Sequence, residues 1–445
     1  MYQDTIAAIS TAVGQAGIGV VRLSGKEARP IAAKLFTGEL GHRRLAYGHI
    51  IDPDTGATVD EVLVAYMAAP HTYTREDVVE INCHGGPLPL QRVLELALRH
   101  GARLANPGEF TLRAFLNGRI DLAQAEAVLD VVQARTEAGL RLAVQGLGGR
   151  LSAPLKELRR QLVTLLAYLS ASVDFAEDEI EEQEVLRPLS GIRQRLQELL
   201  AGAEAGMVYR HGVRTAIVGR PNVGKSSLLN RLLRENRAIV TPVPGTTRDT
   251  LEETLNLRGV PFLLVDTAGI VHSLDPVESL GVERSRRAIE QADLVLLVVD
   301  SSQALDDADR GIMALVGNCA ALLVANKCDL PLKAELKDIP WPVVPISALT
   351  GQGLAELEEK MVQMALGGHV HSGEWPLVTN ARHKEALERA ERHLAAAQKA
   401  LEAGLPDDLM SIDVSAAASA LGEVTGETLT EDLLNAIFSQ FCVGK

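Results

Sequence analysis

An apolar run, Thr215-Ala-Ile-Val218, leads into Gly219-Arg-Pro-Asn-Val-Gly224-Lys225-Ser226, and the helix-like Ser227-Leu-Leu-Asn-Arg-Leu-Leu233 follows. These residue types at this spacing make a phosphate-binding loop between a strand and a helix. The glycines let main-chain N–H groups close around phosphate oxygens at the helix N-terminus. Lys225 brings a cation to the terminal phosphates, and the Ser226 hydroxyl suits magnesium. Four further strings follow in order. Gly245-Thr246-Thr247-Arg-Asp249 carries hydroxyls that reach magnesium only when a terminal phosphate draws their loop inward. Asp266-Thr267-Ala268-Gly269 closes the apolar run Phe262-Leu-Leu-Val265, so its carboxylate can hold magnesium through water and its last amide can meet a γ-phosphate. Asn326-Lys327-Cys-Asp329 follows another apolar run, and the Asp329 carboxylate can accept from both N1–H and the exocyclic amine of guanine. Adenine cannot supply that pair and would leave a buried charge unsatisfied. Ser347-Ala348-Leu349 stands after the last strand-like run, where a backbone N–H can meet guanine O6. Together the five strings specify GTP rather than ATP.

One catalytic part is missing. Ile270 follows Gly269, where Ras-like enzymes carry the glutamine that orients the attacking water. An aliphatic side chain cannot do this, so another polar group must; Asp275 and Glu278 lie in the same stretch. No residue obviously supplies a positive charge in cis, although Arg248 is a candidate.

Around the GTP strings the chain divides by pattern. Residues 1–118 mix short strand-like runs (Gly19 to Leu23, Glu61 to Tyr66, Asp77 to Ile81) with a helical Leu88 to His100, an α+β domain. Residues 119–211 are helical: Leu155, Leu158, Leu162, Leu165, Leu166 and Leu169 recur at helical spacing. Residues 212–366 alternate apolar strands with helices, as a mainly parallel, doubly wound sheet does. Residues 367–445 return to the helical period (Leu387, Ala390, Leu394, Ala397, Leu401; then Leu429, Leu433, Ile437, Phe441). The economical arrangement is one helical domain interrupted by an inserted GTPase domain.

A chain of 445 residues suggests about three domains. The net charge of −14 and the 3% aromatic content argue against an extended nucleic-acid footprint with base stacking. Four cysteines without C-x-x-C spacing are expected as reduced thiols. With no signal-like start and no membrane-length apolar stretch, the expected location is cytoplasmic. Cys442, fourth from the end, is followed by Val-Gly-Lys, which fits prenylation poorly, and His84-Gly-Gly86 has no accompanying nucleophile elbow.

The GTPase strings resemble those of translation-factor-like GTPases, and the remainder of the chain resembles the MnmE (TrmE) family of bacterial tRNA modification GTPases. The strings that carry the resemblance are Asp4-Thr-Ile-Ala-Ala, Gly17-Ile-Gly-Val-Val-Arg-Leu-Ser-Gly25, His84-Gly-Gly-Pro87, Pro107-Gly-Glu-Phe-Thr-Leu-Arg-Ala-Phe-Leu-Asn117, Asp121-Leu-Ala-Gln-Ala-Glu-Ala127 and Phe441-Cys-Val-Gly-Lys445. Ala12-Val13 stands where the family often has two prolines, and Val271 where it usually has arginine. The resemblance implies a homodimer formed through the N-terminal domain. It implies a 5-formyl- or 5,10-methylene-tetrahydrofolate held by Arg22, Glu80, Arg119 and Lys445. It further implies potassium on Asn222, Thr241, Val243 and Thr246, magnesium on Ser226 and Thr247, and water oriented by Glu278. Asn222, Val223 and Ser227, with Thr241, Pro242, Val243 and Pro244, complete the expected nucleotide contacts. The implied partners are the flavoprotein MnmG (GidA) and tRNA, whose wobble uridine gains an aminomethyl or carboxymethylaminomethyl group. Cys442 stands near the one-carbon site, either as a nucleophile or as a structural or ligand-lining thiol. A ribosome-assembly or signalling GTPase would share every nucleotide string, and folate binding separates the two readings.

Overall fold

The computed structural model describes residues 4–12, 14–174, 182–236, 253–265, 278–367, 377–428 and 430–445. The N-terminal sheet consists of β1 (Ile6–Ile9), β2 (Ala16–Ser24), β3 (Leu45–Ile51), β4 (Thr58–Met67), β5 (Val78–Gly85) and β6 (Arg103–Leu104), in the order β3-β4-β5-β2-β1-β6. All neighbours are antiparallel except β1 and β6. Strand alternation sends Val21, Leu23, Val79 and Ile81 to one face, where they pack with Ile31 and Leu35 of helix Ala28–Leu35 and with Leu90 and Val93 of helix Pro87–Arg99. A Cβ at Gly19 would stand 2.5 Å from the Leu90 side chain, so only glycine permits the helix this close. The opposite face carries Ile18, Val20, Arg22, Glu80 and Asn82 and stays open, with Ile18 60% and Tyr47 63% exposed.

The leucine periodicity forms a long helix, Ser152–Asp174, which packs with Glu182–Leu200 and Asp407–Thr425, and Ala381–Glu402 packs in turn on those two. Leu155, Leu162 and Leu169 meet Leu189, Leu196, Leu387, Leu394, Val414 and Leu421 in one core. Residues from both sides of the GTPase segment thus bury one another, and neither half could cover its apolar stripe alone.

The GTPase sheet contains β7 (Val213–Val218), β8 (Glu253–Leu257), β9 (Val260–Val265), β10 (Leu294–Asp300), β11 (Ala321–Asn326) and β12 (Val343–Pro345), ordered β12-β11-β10-β7-β9-β8. Five strands are parallel, and β8 pairs antiparallel with β9 at the edge. Every residue of β10 and β11 is buried, as a strand covered on both faces requires. The fold is therefore an α+β N-terminal domain, an α-helical domain and an inserted α/β P-loop GTPase domain.

The last residues depart from the helical bundle. Helix Glu431–Phe438 ends before Phe441, and Ile437, Phe438 and Phe441 join Ala114, Ile120, Leu122 and Ala125 in a separate core. The tail then runs along the N-terminal domain. Val443 bridges Pro107, the Gly108 amide donates to the Cys442 carbonyl at 3.4 Å, and the Phe110 amide donates to the Lys445 main-chain oxygen at 3.2 Å. Among the described residues no helix is long and apolar enough to cross a membrane.

Candidate functional site

The phosphate loop leaves β7 at Val218 and enters helix Lys225–Asn236, as the strand–loop–helix pattern requires. Its backbone turns through Asn222 at φ 65° and Gly224 at φ 101°. A Cβ on Gly224 would collide with Asn326 Nδ2, so the glycine is what admits the Asn326 side chain to the loop. Asn326, 3% exposed, donates from Nδ2 to the Val223 carbonyl at 2.7 Å and accepts from the Ala348 amide at Oδ1 at 3.0 Å. One buried amide side chain therefore joins the phosphate loop to both base-side loops. An O6 contact from the Ala348 amide would have to compete with Asn326. Asn326→Ala should lower stability by about 1–3 kcal/mol for each of the two buried groups it orphans, and should weaken GTP binding with it. Urea unfolding followed in parallel with nucleotide titration checks this; an unchanged midpoint would contradict the clamp.

Lys225 is partly buried, and burial holds its ammonium below the usual lysine range. Nζ donates to the Gly219 and Arg220 carbonyls at 2.7 and 2.8 Å. Both acceptors are neutral, so a phosphate oxygen, which makes a charge-assisted bond, is the stronger partner for the same ammonium. Lys327 is fixed differently: Nζ donates to Asp300 Oδ2 at 2.7 Å. Burial raises the Asp300 pKa, but hydrogen bonds from Lys327 and Ser302 outweigh it and hold the carboxyl below its ordinary value. With Lys327 held and the Cys328 amide donating to Ile346 at 3.0 Å, exposed Asp329 projects from an anchored turn at the C-terminal end of β11. Ser347 is fully buried, whereas Leu349 is 81% exposed.

Ser226 and Ser227 open the helix after the loop, and Asn222 is exposed on the loop itself. A hydroxyl at a helix start beside the phosphate cradle fits magnesium, and an exposed amide oxygen is a hard donor of the kind potassium accepts. Thr241, Pro242, Val243, Pro244, Gly245, Thr246, Thr247, Asp266, Thr267, Ala268 and Gly269 lie outside the described residues, as do Arg248, Ile270 and Asp275. Glu278 is the first residue of helix Glu278–Gln291, and its side chain also lies outside the description.

In the N-terminal domain Arg22 and Glu80 are register partners across β2 and β5, paired at 2.8 Å. Arg22 Nη1 also donates to the Gly444 carbonyl at 3.4 Å, and the guanidinium lies 5.7 Å from the centre of the Phe110 ring. The structure thus brings Arg22, Glu80 and the Gly444–Lys445 backbone together. Arg119 does not join them among the described contacts. It stacks over Tyr73 at 4.6 Å and lines a cavity of about 440 Å³ with Met67, His71, Thr72 and Arg75. Phe110 and the Gly444 carbonyl were not legible as site elements, because aromatic packing and tail docking leave no local pattern. All four cysteines are free thiols; Cys442 is exposed, and burial, with the Asp60 charge, pushes buried Cys83 up to about 12.

Two family models match the chain in succession. A family described as "GTP-binding protein TrmE N-terminus" matches residues 5–119, and one described as "MnmE helical domain" matches residues 122–442. A tRNA modification GTPase MnmE from Chloroflexus aurantiacus is 53% identical over 99% of this chain and 100% of its own. That of Roseiflexus castenholzii is 53% identical over 100% of both. The solved G domain of the T. maritima FeoB iron transporter is 29% identical, covers 34% of this chain and 98% of its own, and has a TM-score of 0.26. Since these full-length matches embrace the phosphate loop, the helical core and the docked tail alike, the chain belongs to the MnmE family of tRNA modification GTPases.

Proposed function

We propose that this GTPase is the GTP-hydrolysing subunit of a cytoplasmic complex that modifies the wobble uridine of tRNA. In this reading it adds an aminomethyl or carboxymethylaminomethyl group at position 5, taking its one-carbon unit from 5-formyl- or 5,10-methylene-tetrahydrofolate and working with the flavoprotein MnmG. The observation that carries the folate part is the Arg22–Glu80 pair on the open sheet face, beside the docked tail. A guanidinium suits the glutamate carboxylates of a folate, and a carboxylate suits the donor groups of its pterin; Lys445 would add further positive charge for that ligand. A ligand bearing both acceptor and donor groups can replace each member of the pair for the other.

The same face supports a homodimer. Ile18, Leu45, Tyr47 and Leu63 expose 60, 60, 63 and 37% of their surface on one side of the sheet. A second copy would cover that patch and enclose the pair. The net charge of −14 fits an arrangement in which the partner supplies much of the grip on tRNA phosphates.

For hydrolysis, Lys225 binds the terminal phosphates, Asn326 holds the loop around them, and Glu278 orients the attacking water. Ser226 and Thr247 would hold magnesium; Asn222, Thr241, Val243 and Thr246 would hold potassium. These cations would supply fixed positive charge against the negative charge developing on the phosphates.

The test is a calorimetric titration of 5-formyl-tetrahydrofolate into the intact chain and into Arg22→Ala. Binding by the parent and a loss of about 10-fold or more in the variant are expected, as for a charge-assisted contact. If the parent binds no folate but co-sediments with ribosomes, the RNA-binding switch takes the place of one-carbon chemistry.

A further inference from the structure

The loop between β4 and β5 turns at Arg75, whose backbone holds φ at 59°. Glycine adopts that left-handed conformation freely and any other side chain is strained by it, so an arginine kept there points to something its side chain does. Its Nη1 donates to the Asn117 carbonyl at 2.9 Å, and Asn117 Nδ2 donates in turn to the Thr74 carbonyl at 2.7 Å. The two bonds seat the guanidinium against the turn Asn117-Gly118, just before Arg119. Arg75 and Arg119 therefore line one cavity of about 440 Å³, with His71 and Tyr73 beside them. That volume is in the range of small-molecule pockets.

Charge pairing sets these two arginines apart. Arg22, Arg92, Arg99, Arg103 and Arg113 of the same domain each hold a carboxylate. Among the described residues Arg75 and Arg119 hold none: Arg75 meets a carbonyl, and Arg119 the face of Tyr73 at 4.6 Å. The carboxylates next to Arg75 in sequence are engaged elsewhere. Glu76 accepts from Ser24 Oγ at 2.7 Å and from Arg113 Nη1 at 3.3 Å. Asp77 accepts from the Ala69 amide at 2.9 Å and from the Tyr66 hydroxyl at 3.1 Å. In a chain of net charge −14, two guanidiniums left without a carboxylate in one cavity make a receptor for an anionic ligand.

Their position says which anion. The Arg22 guanidinium lies over Phe110 and that of Arg119 over Tyr73, and Tyr73 packs against the cluster that contains Phe110. The cavity thus stands two rings from the Arg22–Glu80 pair. If Arg22 and Lys445 meet the carboxylates of a folate's first glutamate, each further γ-linked glutamate carries one more carboxylate beyond them. We propose that the Arg75–Arg119 cavity binds this γ-glutamate extension, so that the chain prefers polyglutamylated to monoglutamylated folate. The proposal rests on the folate reading and extends it to the form of the ligand. Arg75 and Arg119 set affinity here and take no part in the transfer of the one-carbon unit.

Calorimetric titration of the intact chain with 5-formyl-tetrahydrofolate and with its tri-γ-glutamate form tests this. The triglutamate should bind about 10-fold or more tightly than the monoglutamate, as one additional charge-assisted contact gives, and added potassium chloride should shrink that ratio. Arg75→Gly keeps the turn, because glycine suits its φ and the Asn117–Thr74 bond remains. It should bring the ratio below about 2-fold while leaving monoglutamate affinity within about 2-fold of the parent's, whereas Arg75→Lys, which keeps the charge, should retain part of the preference. Arg22→Ala should weaken both forms and leave their ratio standing. A parent that binds the two forms alike, or an Arg75→Gly variant with the full preference, would overturn the proposal and leave the folate reading in place. A parent that binds neither form would remove both.

Discussion

Asparagine in place of Asp329 should weaken GTP binding by about 2–4 kcal/mol, roughly 30- to 1,000-fold, while leaving the fold unchanged. The carboxylate offers two acceptors to guanine's two donors; an amide turns one of them into a donor facing a donor. The surrounding turn sharpens the effect, because Lys327 is tied to Asp300 and the Cys328 amide to Ile346, so the side chain has little freedom to seek another arrangement. Partial acceptance of xanthine nucleotides, whose base presents an acceptor at that point, is expected alongside. Calorimetric titration with GTP and with the xanthine triphosphate reads both. GTP affinity equal to the parent's would remove Asp329 from base recognition.

Glu278→Ala should bind GTP with parental affinity and hydrolyse it about 100-fold more slowly, the usual consequence of removing a group that positions the attacking water. Ile270 cannot do that work, and Glu278, eight positions further along the sequence, starts helix Glu278–Gln291. Single-turnover hydrolysis separates the chemical step from binding, and a normal rate would transfer the role to Asp275. The same assay in sodium in place of potassium, at equal ionic strength, should be much slower, since screening treats the two ions alike and only specific coordination distinguishes them. Equal rates would point back to Arg248 as the source of positive charge.

The parts of the molecule that were legible in the sequence are those whose physics is local. The phosphate loop declares itself because glycine, lysine and serine are needed at fixed offsets, and the helix Ser152–Asp174 because Leu155, Leu158, Leu162, Leu165 and Leu169 share one face. Strands β9 to β12 are legible as short apolar runs between breakers. Contacts made between distant segments left no such trace. Asn326 reads as a guanine residue, and its bonds to Val223 and Ala348 appear only when three loops are brought to one point. Glu126 reads as one glutamate among many, although Arg382 and His383 hold its carboxyl down to about 2 against the opposing pull of burial. Phe441 fits a helical period yet lies past the helix end, because packing against Ala114 and Leu122 outweighs continuation of the helix.

The docked tail also bears on the order in which the molecule can be completed. Arg22 and Gly444 touch across 422 residues of chain, so the N-terminal sheet leaves the ribosome long before the segment that closes it. Until Ile437, Phe438 and Phe441 arrive, Ala114, Ile120, Leu122 and Ala125 lack their cover, and the helices Glu109–Leu116 and Leu122–Gln133 must wait with that apolar surface open while the remaining helical and GTPase segments are made. Closing so long a loop is entropically slow and gives nothing back until the last contacts form. The junction between the first two segments to be synthesised is thus the last part to be finished, and a chain cut short anywhere before residue 437 would leave that junction without part of its core.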